Sequence, residues 1–538
     1  MPKRGSIILF LTTLSAIAIL AFTVDSSPPL LPPLVALACL SLSRSAGLSL
    51  FVGSLFGVLL IGNGPAYLSP MRWVNSHLWP ALTSSWHWSA LAFTLLLAAF
   101  AAIVERSGAL ARLLQTWSRS GTASPASRFQ VSIVGLGLLC FFDGLANALM
   151  LGRVGRTLAD QARVSREKLA YLVDTTSSAV ACVAFISTWS VFQLSLISEE
   201  LAEAPFTTPA YVLFLQSIPT NFYCLSSLLL AFLAARWNWN PAPMNRTVPQ
   251  PIDNDAEDFV ANSPLPFRAA FGPIAVLLLS VPLSFWILGG QKLLPSSLDD
   301  IQKAFATDLG PYALLLAGLF SILGAIAFFP KEKGTEKALA AIPRGVGSVA
   351  PALIVLIMAW TLGSTLRELG TGTYLANLLA DHFPIHFLPL LTFLLGCLIA
   401  FSTGTSWGTM ALLMPLALGT FLSAISEQNI PPSEVSHLLP PIIAAVFGGA
   451  VFGDHASPFS DTTIVSALAC DVTTTTHVAT QLPYALLAAS FSILFGYLPI
   501  GLGLSPGLSA PLPLIITFLF VLIARRHGAS THSSAHKN

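Results

Sequence analysis

The chain has 538 residues, of which 54% are hydrophobic and only 9% charged, with a mean hydropathy of +0.74. A soluble chain of this length would carry several domains and about a quarter charged residues, so composition excludes a soluble protein and predicts an all-α polytopic membrane protein embedded in the lipid bilayer. A net charge of +1 leaves no polybasic surface for nucleic acid, and six scattered cysteines without a CxxC pair argue against a zinc site or a disulfide frame and read as small core residues.

Lys3-Arg4 ahead of the apolar run 6–22 has the look of a signal peptide, but no A-x-A site follows, so the run is read as a retained first helix. Further runs near bilayer length follow at 30–43, 46–62, 88–104, 129–151, 170–197, 211–235, 269–289, 310–329, 348–363, 387–424, 436–469, 481–499 and 511–525. Basic residues mark cytoplasmic loops. Arg106, Arg112, Arg119 and Arg128 precede segment 129–151, and Arg153, Arg156, Arg163, Arg166 and Lys168 follow it. Both its ends therefore lie inside, and the segment must enter and return as a hairpin bent at Phe141-Phe142-Asp143-Gly144. Segment 170–197 leads to an acidic outer loop (Glu199, Glu200, Glu203), and Lys331, Lys333, Lys337 and Arg344 bring the chain back inside. Segment 387–424, broken at Thr403-Gly404-Thr405-Ser406-Trp407-Gly408, runs between poorly basic loops and satisfies the bias as a second hairpin from outside. Arg525-Arg526 then ends inside like Lys3-Arg4, which gives about 12 transmembrane helices, two re-entrant hairpins and cytoplasmic termini. Glu105-Arg106 and Arg367-Glu368 sit at span ends, where they snorkel or pair locally.

Matched features recur at an offset of about 260 to 265 residues. Gly53 pairs with Gly318, Gly108 with Gly370, Asp143-Gly144 with Thr403-Gly404, and Gln216 to Pro219 with Gln481 to Pro483. Asp174-Thr-Thr-Ser-Ser-Ala-Val-Ala echoes Asp461-Thr-Thr-Ile-Val-Ser-Ala-Leu-Ala at a wider spacing, which a loop inserted near 425–437 explains. The halves start on opposite sides of the membrane and so form an inverted repeat, the architecture of many secondary transporters. The expected organisation is an N-terminal extension over 1–45, a first repeat over 46–239, an acidic, Pro-rich solvated linker with a connecting helix over 240–309, a second repeat over 310–500, a last helix over 501–525 and a disordered tail over 526–538.

A carboxylate in hydrocarbon costs at least about 2.5 to 3.5 kcal/mol, so intramembrane acids are candidates for function. Asp454 and Asp461 would share a face of a continuous helix with Ser457 between them. Pro458, after Gly448, Gly449 and Gly453, breaks that helix and exposes backbone groups, which is tolerated at membrane depth only beside a cavity. Na+ favours hard oxygen ligands. Asp461, Thr462, Thr463, Ser457 and Ser460 offer them in one half, and Asp174, Thr175, Thr176, Ser177 and Ser178 in the other, so Na+ is expected at Asp461 and Asp174 where the halves meet. The plainer reading makes Asp174 and Asp461 helix N-caps. Asp471 reads as an interfacial cap, and His455 and His477 as proton-relay candidates or as hydrogen-bonded packing residues. Asp143 and Asn147 in the first hairpin and Thr403, Thr405 and Ser406 in the second are candidate cation contacts, with pairing of Asp143 to Arg153 or Arg156 as the alternative. The tail histidines His527, His532 and His536 offer at most a weak metal site.

The sequence has no G-x-x-x-x-G-K-[ST] loop, nucleophile elbow or H-E-x-x-H signature. The expectation is therefore no ATP, no enzyme activity and no resident cofactor, with an ion gradient as the energy source.

Three stretches, Ser165-Arg-Glu-Lys-Leu-Ala-Tyr-Leu-Val-Asp174-Thr-Thr, Thr403-Gly-Thr-Ser-Trp-Gly408 and Gly453-Asp-His-Ala-Ser-Pro-Phe-Ser-Asp461-Thr-Thr, resemble the NhaC-type Na+/H+ antiporter family of inverted-repeat carriers over roughly residues 45 to 500. The resemblance implies an inner-membrane carrier that exchanges cytoplasmic Na+ for external protons and adds weight to Asp454 and Asp461. Similar sequences look like exchangers of organic acids or carriers of amino acids. Where the family often has a paired acidic motif, this chain reads Asp143-Gly144. The expected mechanism is competition of Na+ and H+ at Asp461 and Asp174 with Asp454 assisting. The alternative is Na+-driven uptake of a small organic solute held between Thr405 and Ser406 in one hairpin and Ala146 and Asn147 in the other; a homodimer is left open as the assembly.

Overall fold

The computed structural model describes residues 29–535 except 63–64, 121, 203, 207, 252–266, 290–308 and 381–382. The predicted first span at 6–22, the acidic part of the linker and the tail's histidine side chains lie outside the described residues.

The regular structure of the described residues is all helical, without a strand. The helices are α1 (Leu31–Ser43), α2 (Ala46–Ile61), α3 (Ser85–Ser107), α4 (Ala109–Arg119), α5 (Pro125–Leu139), α6 (Gly144–Gln161), α7 (Arg166–Val183), α8 (Thr188–Leu201), α9 (Ala210–Ser217) and α10 (Phe222–Trp237) in the first half. The second half holds α11 (Phe267–Gly289), α12 (Gly310–Ala327), α13 (Ile342–Glu368), α14 (Thr371–Ala380), α15 (Leu388–Thr403), α16 (Ser406–Glu427), α17 (Leu439–Ala456), α18 (Asp461–Cys470), α19 (Thr474–Ser492) and α20 (Leu512–Ala535). Most are apolar on every face, as helices are when their surroundings are other helices or lipid. Among the described residues nine helices are long and apolar enough to cross a bilayer, or ten if the pair Ala210–Thr220 and Phe222–Trp237, bent by 50°, forms one span. Several runs taken as crossings, among them α1 and α2, are shorter than a bilayer requires.

The interruptions organise the fold. Both expected hairpin bends are present. Cys140 to Asp143 separate α5 from α6, where Asp143 leaves helical geometry and its carboxylate accepts from Ala146 N at 2.8 Å. Gly404 and Thr405 separate α15 from α16: Gly404 adopts φ +69°, a left-handed conformation open to glycine, and the Thr405 hydroxyl accepts from Gly408 N. The break foreseen at Pro458 occurs over Ser457–Ser460, between α17 and α18.

Four expectations are corrected. The run 170–197 is two helices, because Ser187 starts α8 with a reciprocal cap to Ser190 (2.9 and 2.7 Å) and its hydroxyl donates to the carbonyl of Ala181 at 2.6 Å. The run 211–235 is bent at Asn221, just past Pro219. The start of the linker is packed and not solvated: Met244 is buried, and Thr247 donates to the Ser165 hydroxyl at 2.7 Å. The tail expected to be disordered from 526 continues α20 to Ala535, since no proline follows Pro513 to stop it.

Two apolar cores flank the breaks. One joins α8, α13, α15, α16 and α17; the other joins α3, α5, α7, α10, α11 and α12. Helices α7 and α17 run through the centre, with almost every side chain buried.

Candidate functional site

The two hairpin bends and the helix breaks at Ser187 and Pro458 meet at one cavity of about 600 Å³; the bend at Asn221 lies outside it. Its wall takes Asp143 from the first hairpin, Thr403 to Trp407 from the second, Thr188 and Trp189 from the first helix break, and Ser460, Asp461 and Thr462 from the second. Asp454 enters from α17, Arg44 from the turn between α1 and α2, and residues 348–355 from the first part of α13.

The tips hold one another in place. Thr188 Oγ1 donates to Asp143 Oδ2 at 3.1 Å and Thr188 N to the carbonyl of Phe142 at 3.0 Å, which fixes the first hairpin to the first break. A Cβ on Gly404 would lie 2.7 Å from the carbonyl carbon of Phe459, so the second hairpin is pressed against the second break. The Trp189 and Trp407 rings meet edge to face at 5.8 Å and join the two halves.

Asp454 is 1% exposed. Its Oδ1 accepts from Ser460 Oγ at 2.7 Å, Ser460 and Thr462 hydroxyls lie 3.1 Å apart, and Thr463 Oγ1 donates to the Asp454 backbone carbonyl. Asp454 Oδ2 is buried without a hydrogen-bond partner. Asp461 is exposed to the cavity in the first turn of α18, and the helix has no side-chain cap because the N-cap hydroxyl of Ser460 is spent on Asp454. Besides the Asp143 cap, the site therefore offers the carboxylates of Asp454 and Asp461, hydroxyls and uncapped backbone groups at broken helix ends, a set able to strip water from a cation. The Arg44 guanidinium, also in the wall, lies 3.7 Å over the Phe459 ring.

The remaining sequence-predicted residues lie elsewhere. Asp174 is not a cap: it sits mid-helix in α7, wholly buried, and is not in the cavity wall. Ser466 Oγ donates to its Oδ1 at 3.0 Å, Gln481 Nε2 to its Oδ2 at 2.6 Å, and His477 Nε2 stands 3.5 Å from Oδ2. Asp174 and Asp461 thus touch different parts of the protein, with α18 between them, because Asp461 opens that helix while Ser466 in its second turn meets Asp174. His455 bonds Ser178 at 2.9 Å and the Tyr223 hydroxyl at 2.8 Å. Thr176 Oγ1 bonds back to the carbonyl of Leu172 within α7, and Asn147 Nδ2 donates to the carbonyls of Thr176 and Gly137, clamping α6 to α7 and α5; both residues lie outside the cavity. Thr175 lines a small separate cavity, and buried Ser457 accepts from Phe459 N within the break. The proposed solute contacts Ala146 and Asn147 face another small cavity, beside Glu105.

Two other expected pairings differ, and Asp471 caps a helix end. Asp143 caps α6 instead of pairing with Arg153 or Arg156. Asp471 ends α18 in a left-handed conformation and pairs with Arg166, which also binds Asp160. Arg367 pairs with Glu199 and Glu200 of α8, not locally. Sequence reasoning missed Arg44, Thr188 and Trp189; the Ser187-Thr-Trp-Ser190 capping spacing was the available signal for the last two.

A family model described as the Na+/H+ antiporter family matches residues 180–501. A Haemophilus influenzae protein of uncharacterized function is 28% identical over 511 residues, 92% of this chain and 95% of that protein. The Malate-2H(+)/Na(+)-lactate antiporter of Bacillus subtilis is 29% identical over 164 residues, 28% of this chain and 31% of its own. The crystal structure of the Alcanivorax borkumensis YdaH transporter shares the fold at 17% identity and a TM-score of 0.53, covering 80% of this chain and 89% of that one.

Proposed function

The chain belongs to the Na+/H+ antiporter family and is a multi-pass membrane transporter; from this we propose that it exchanges Na+ for H+ across a cell inner membrane, with the cation taken in the cavity at Asp454 and Asp461. The observation that carries this reading is the Asp454 carboxylate: buried, held by Ser460 through one oxygen, with its other oxygen unpartnered. A carboxylate so placed is neutralised either by a proton or by a cation, and the two compete. Ser460, Thr462, Thr405 and Ser406 would complete the shell around Na+ with hydroxyl and carbonyl oxygens. Rocking of one half against the other would then expose the loaded site on alternate sides. No resident cofactor takes part, and the termini are cytoplasmic.

A second reading has its own observation. A cavity of about 600 Å³ is far larger than one cation needs and falls in the range of small-molecule sites. Arg44 in its wall carries the donor geometry that suits a carboxylate. In this reading a small organic acid travels with Na+ or is exchanged against it. The test is a proteoliposome pH assay in which Na+, Li+, K+ and small organic acids are imposed as gradients. Proton movement driven by Na+ alone supports simple exchange; movement only when an acid is present supports the second reading; none with any of them removes both.

A further inference from the structure

Three helices run from the cavity to a second hollow, of about 720 Å³, near their far ends. Helix α8 contributes Thr188 and Trp189 to the cavity and Glu200 to the hollow. Helix α13 contributes residues 348–355 to the one and Arg367 to the other, and α16 contributes Ser406 and Trp407, then Leu422, Ser423 and Glu427. Because Lys331, Lys333, Lys337 and Arg344 lie at the start of α13, charge bias puts the cavity nearer the inner end of that helix and the hollow at its outer end.

At the hollow the helices are tied by an ion-pair chain. Arg367 of α13 donates to Glu200 Oε1 at 2.8 Å and to Glu199, and Glu199 Oε2 lies 3.0 Å from Nε2 of His87 on α3. The His87 ring stacks on Trp360 of α13 at 3.7 Å, and its Nδ1 is 2.7 Å from the Ala81 carbonyl. Glu200 is 6% exposed, so a charge there depends on Arg367. His87, Glu199 and Glu200 belong to the first half of the chain and Arg367 and Trp360 to the second, so the Arg367 pairs and the His87 stack both cross between the halves. One helical turn before Arg367, a Cβ on Gly363 would lie 3.0 Å from Glu200 Oε1 and 3.8 Å from Pro415 of α16; the three helices close on one another at this level. Between it and the cavity, Gln193 of α8 lies 3.9 Å from the sulfur of Met410 on α16. Gln193 Oε1 and Trp360 Nε1 are buried there with no hydrogen-bond partner among the described residues. A seam that never parted would be better filled by apolar groups; bare polar atoms in it fit a seam that takes up water in another state.

We propose that the seam between α8, α13 and α16 is the outer passage of the cavity, and that the chain of Arg367, Glu199 and Glu200, with His87 on Trp360, is its gate, closed in this structure. Rocking of one half against the other draws α13 away from α3 and α8. The Arg367 and Glu200 charges then take water from the hollow in place of each other, and Gln193 and Trp360 find partners in the wetted passage. An ion pair serving only as a brace could lie within one half; this one stands where the halves must part. The inference rests on alternating access, whichever solute is carried.

The test uses the full-length protein carrying Ala352→Cys as a reporter in the cavity wall, in membrane vesicles of either orientation, labelled with a membrane-impermeant maleimide. Five of the six native cysteines are buried and Cys397 is half-buried, and the protein without the reporter gives the background. Glu200→Gln keeps the shape and removes the charge that Arg367 holds; Arg367→Gln removes the guanidinium. Each is expected to raise labelling of the reporter from the outer face about tenfold or more while labelling from the inner face does not rise, as a shift toward an outward-open population requires. Outer labelling at the parental rate in folded Glu200→Gln protein overturns the gate, and so does an equal rise from both faces, the mark of general loosening; this variant decides the matter even if Arg367→Gln fails to fold. A parental protein that moves no ion and no organic acid in proteoliposomes overturns alternating access and the gate with it, an outcome distinct from unresponsive variants of a protein that transports.

Discussion

Asp454→Asn is the sharpest test of the cation site. Asparagine preserves the shape and can keep its carbonyl oxygen where Oδ1 accepts from Ser460, so only the charge at the unpartnered oxygen is lost. For folding the change is mild: a charge-assisted bond becomes a neutral one, a loss of about 1 kcal/mol that relief from burying a carboxylate offsets. For a bound monovalent cation it is severe. At a separation of about 3 Å and an effective dielectric of about 20 the lost attraction is about 5 kcal/mol. Even with half of that cancelled by the ion's dehydration, Na+ affinity falls on the order of a hundredfold. The expected result is a protein that melts within a few degrees of wild type and needs at least about a hundredfold more Na+ for half-maximal proton flux in proteoliposomes. A Na+ requirement within threefold of wild type, with folding intact, would refute the placement of the cation at Asp454.

Asp461→Asn is expected to abolish Na+-dependent proton movement in inverted vesicles, and retained exchange would remove Asp461 from the mechanism. Gly404→Ala combines a left-handed φ of +69° with a Cβ driven to 2.7 Å from the Phe459 carbonyl carbon, which costs about 2 to 3 kcal/mol; thermal melting should fall by several degrees and transport should be lost, and an unchanged melt would show that the hairpin tip yields freely. Arg44→Gln separates the two functional readings: if an organic acid is carried, its KM rises at least tenfold with the Na+ dependence unaltered, whereas equal acid dependence in variant and wild type takes Arg44 out of solute recognition.

Helix content, membrane class and both hairpin bends were legible because run length, charge bias and Gly-Thr or Asp-Gly punctuation are local properties. The second helix break was legible for the same reason, through Gly453 and Pro458. The first was not, because Ala184 to Ser187 contains neither proline nor glycine, and Ser187 makes the break by capping α8 and bonding the Ala181 carbonyl. Likeness of short strings misled at Asp174. Asp-Thr-Thr at 174 lies mid-helix, whereas Asp-Thr-Thr at 461 opens one, so equal letters do not occupy equal places about the breaks. Arg44 and Lys168 carry no local signal of their packing; only the fold brings Arg44 into the cavity wall and the Lys168 amine against the stacked rings of Tyr171 and Tyr484. Arg367 with Glu199 and Glu200 is a further case, a long-range pairing with no trace in local sequence.

The short helix α18 connects the cavity to the buried Asp174 cluster. Its first turn presents Asp461 and Thr462 to the cavity, and one turn further on Ser466 bonds Asp174. Near its end a Cβ on Gly152 of α6 would stand 2.5 Å from Ala469, so α6, which begins at the Asp143 cap, packs against α18 without slack. A cation drawn to the first turn and a change of charge at Asp174 therefore act on the same ten-residue element. With the Ser460 hydroxyl committed to Asp454 and not to capping the helix, a change of charge at Asp454 alters the hold on the start of α18, just as a change at Asp174 alters the Ser466 bond in its second turn. Beside the direct competition of cation and proton at Asp454, the cavity and Asp174 are then coupled through a rigid helix whose two contacts respond to charge at either end.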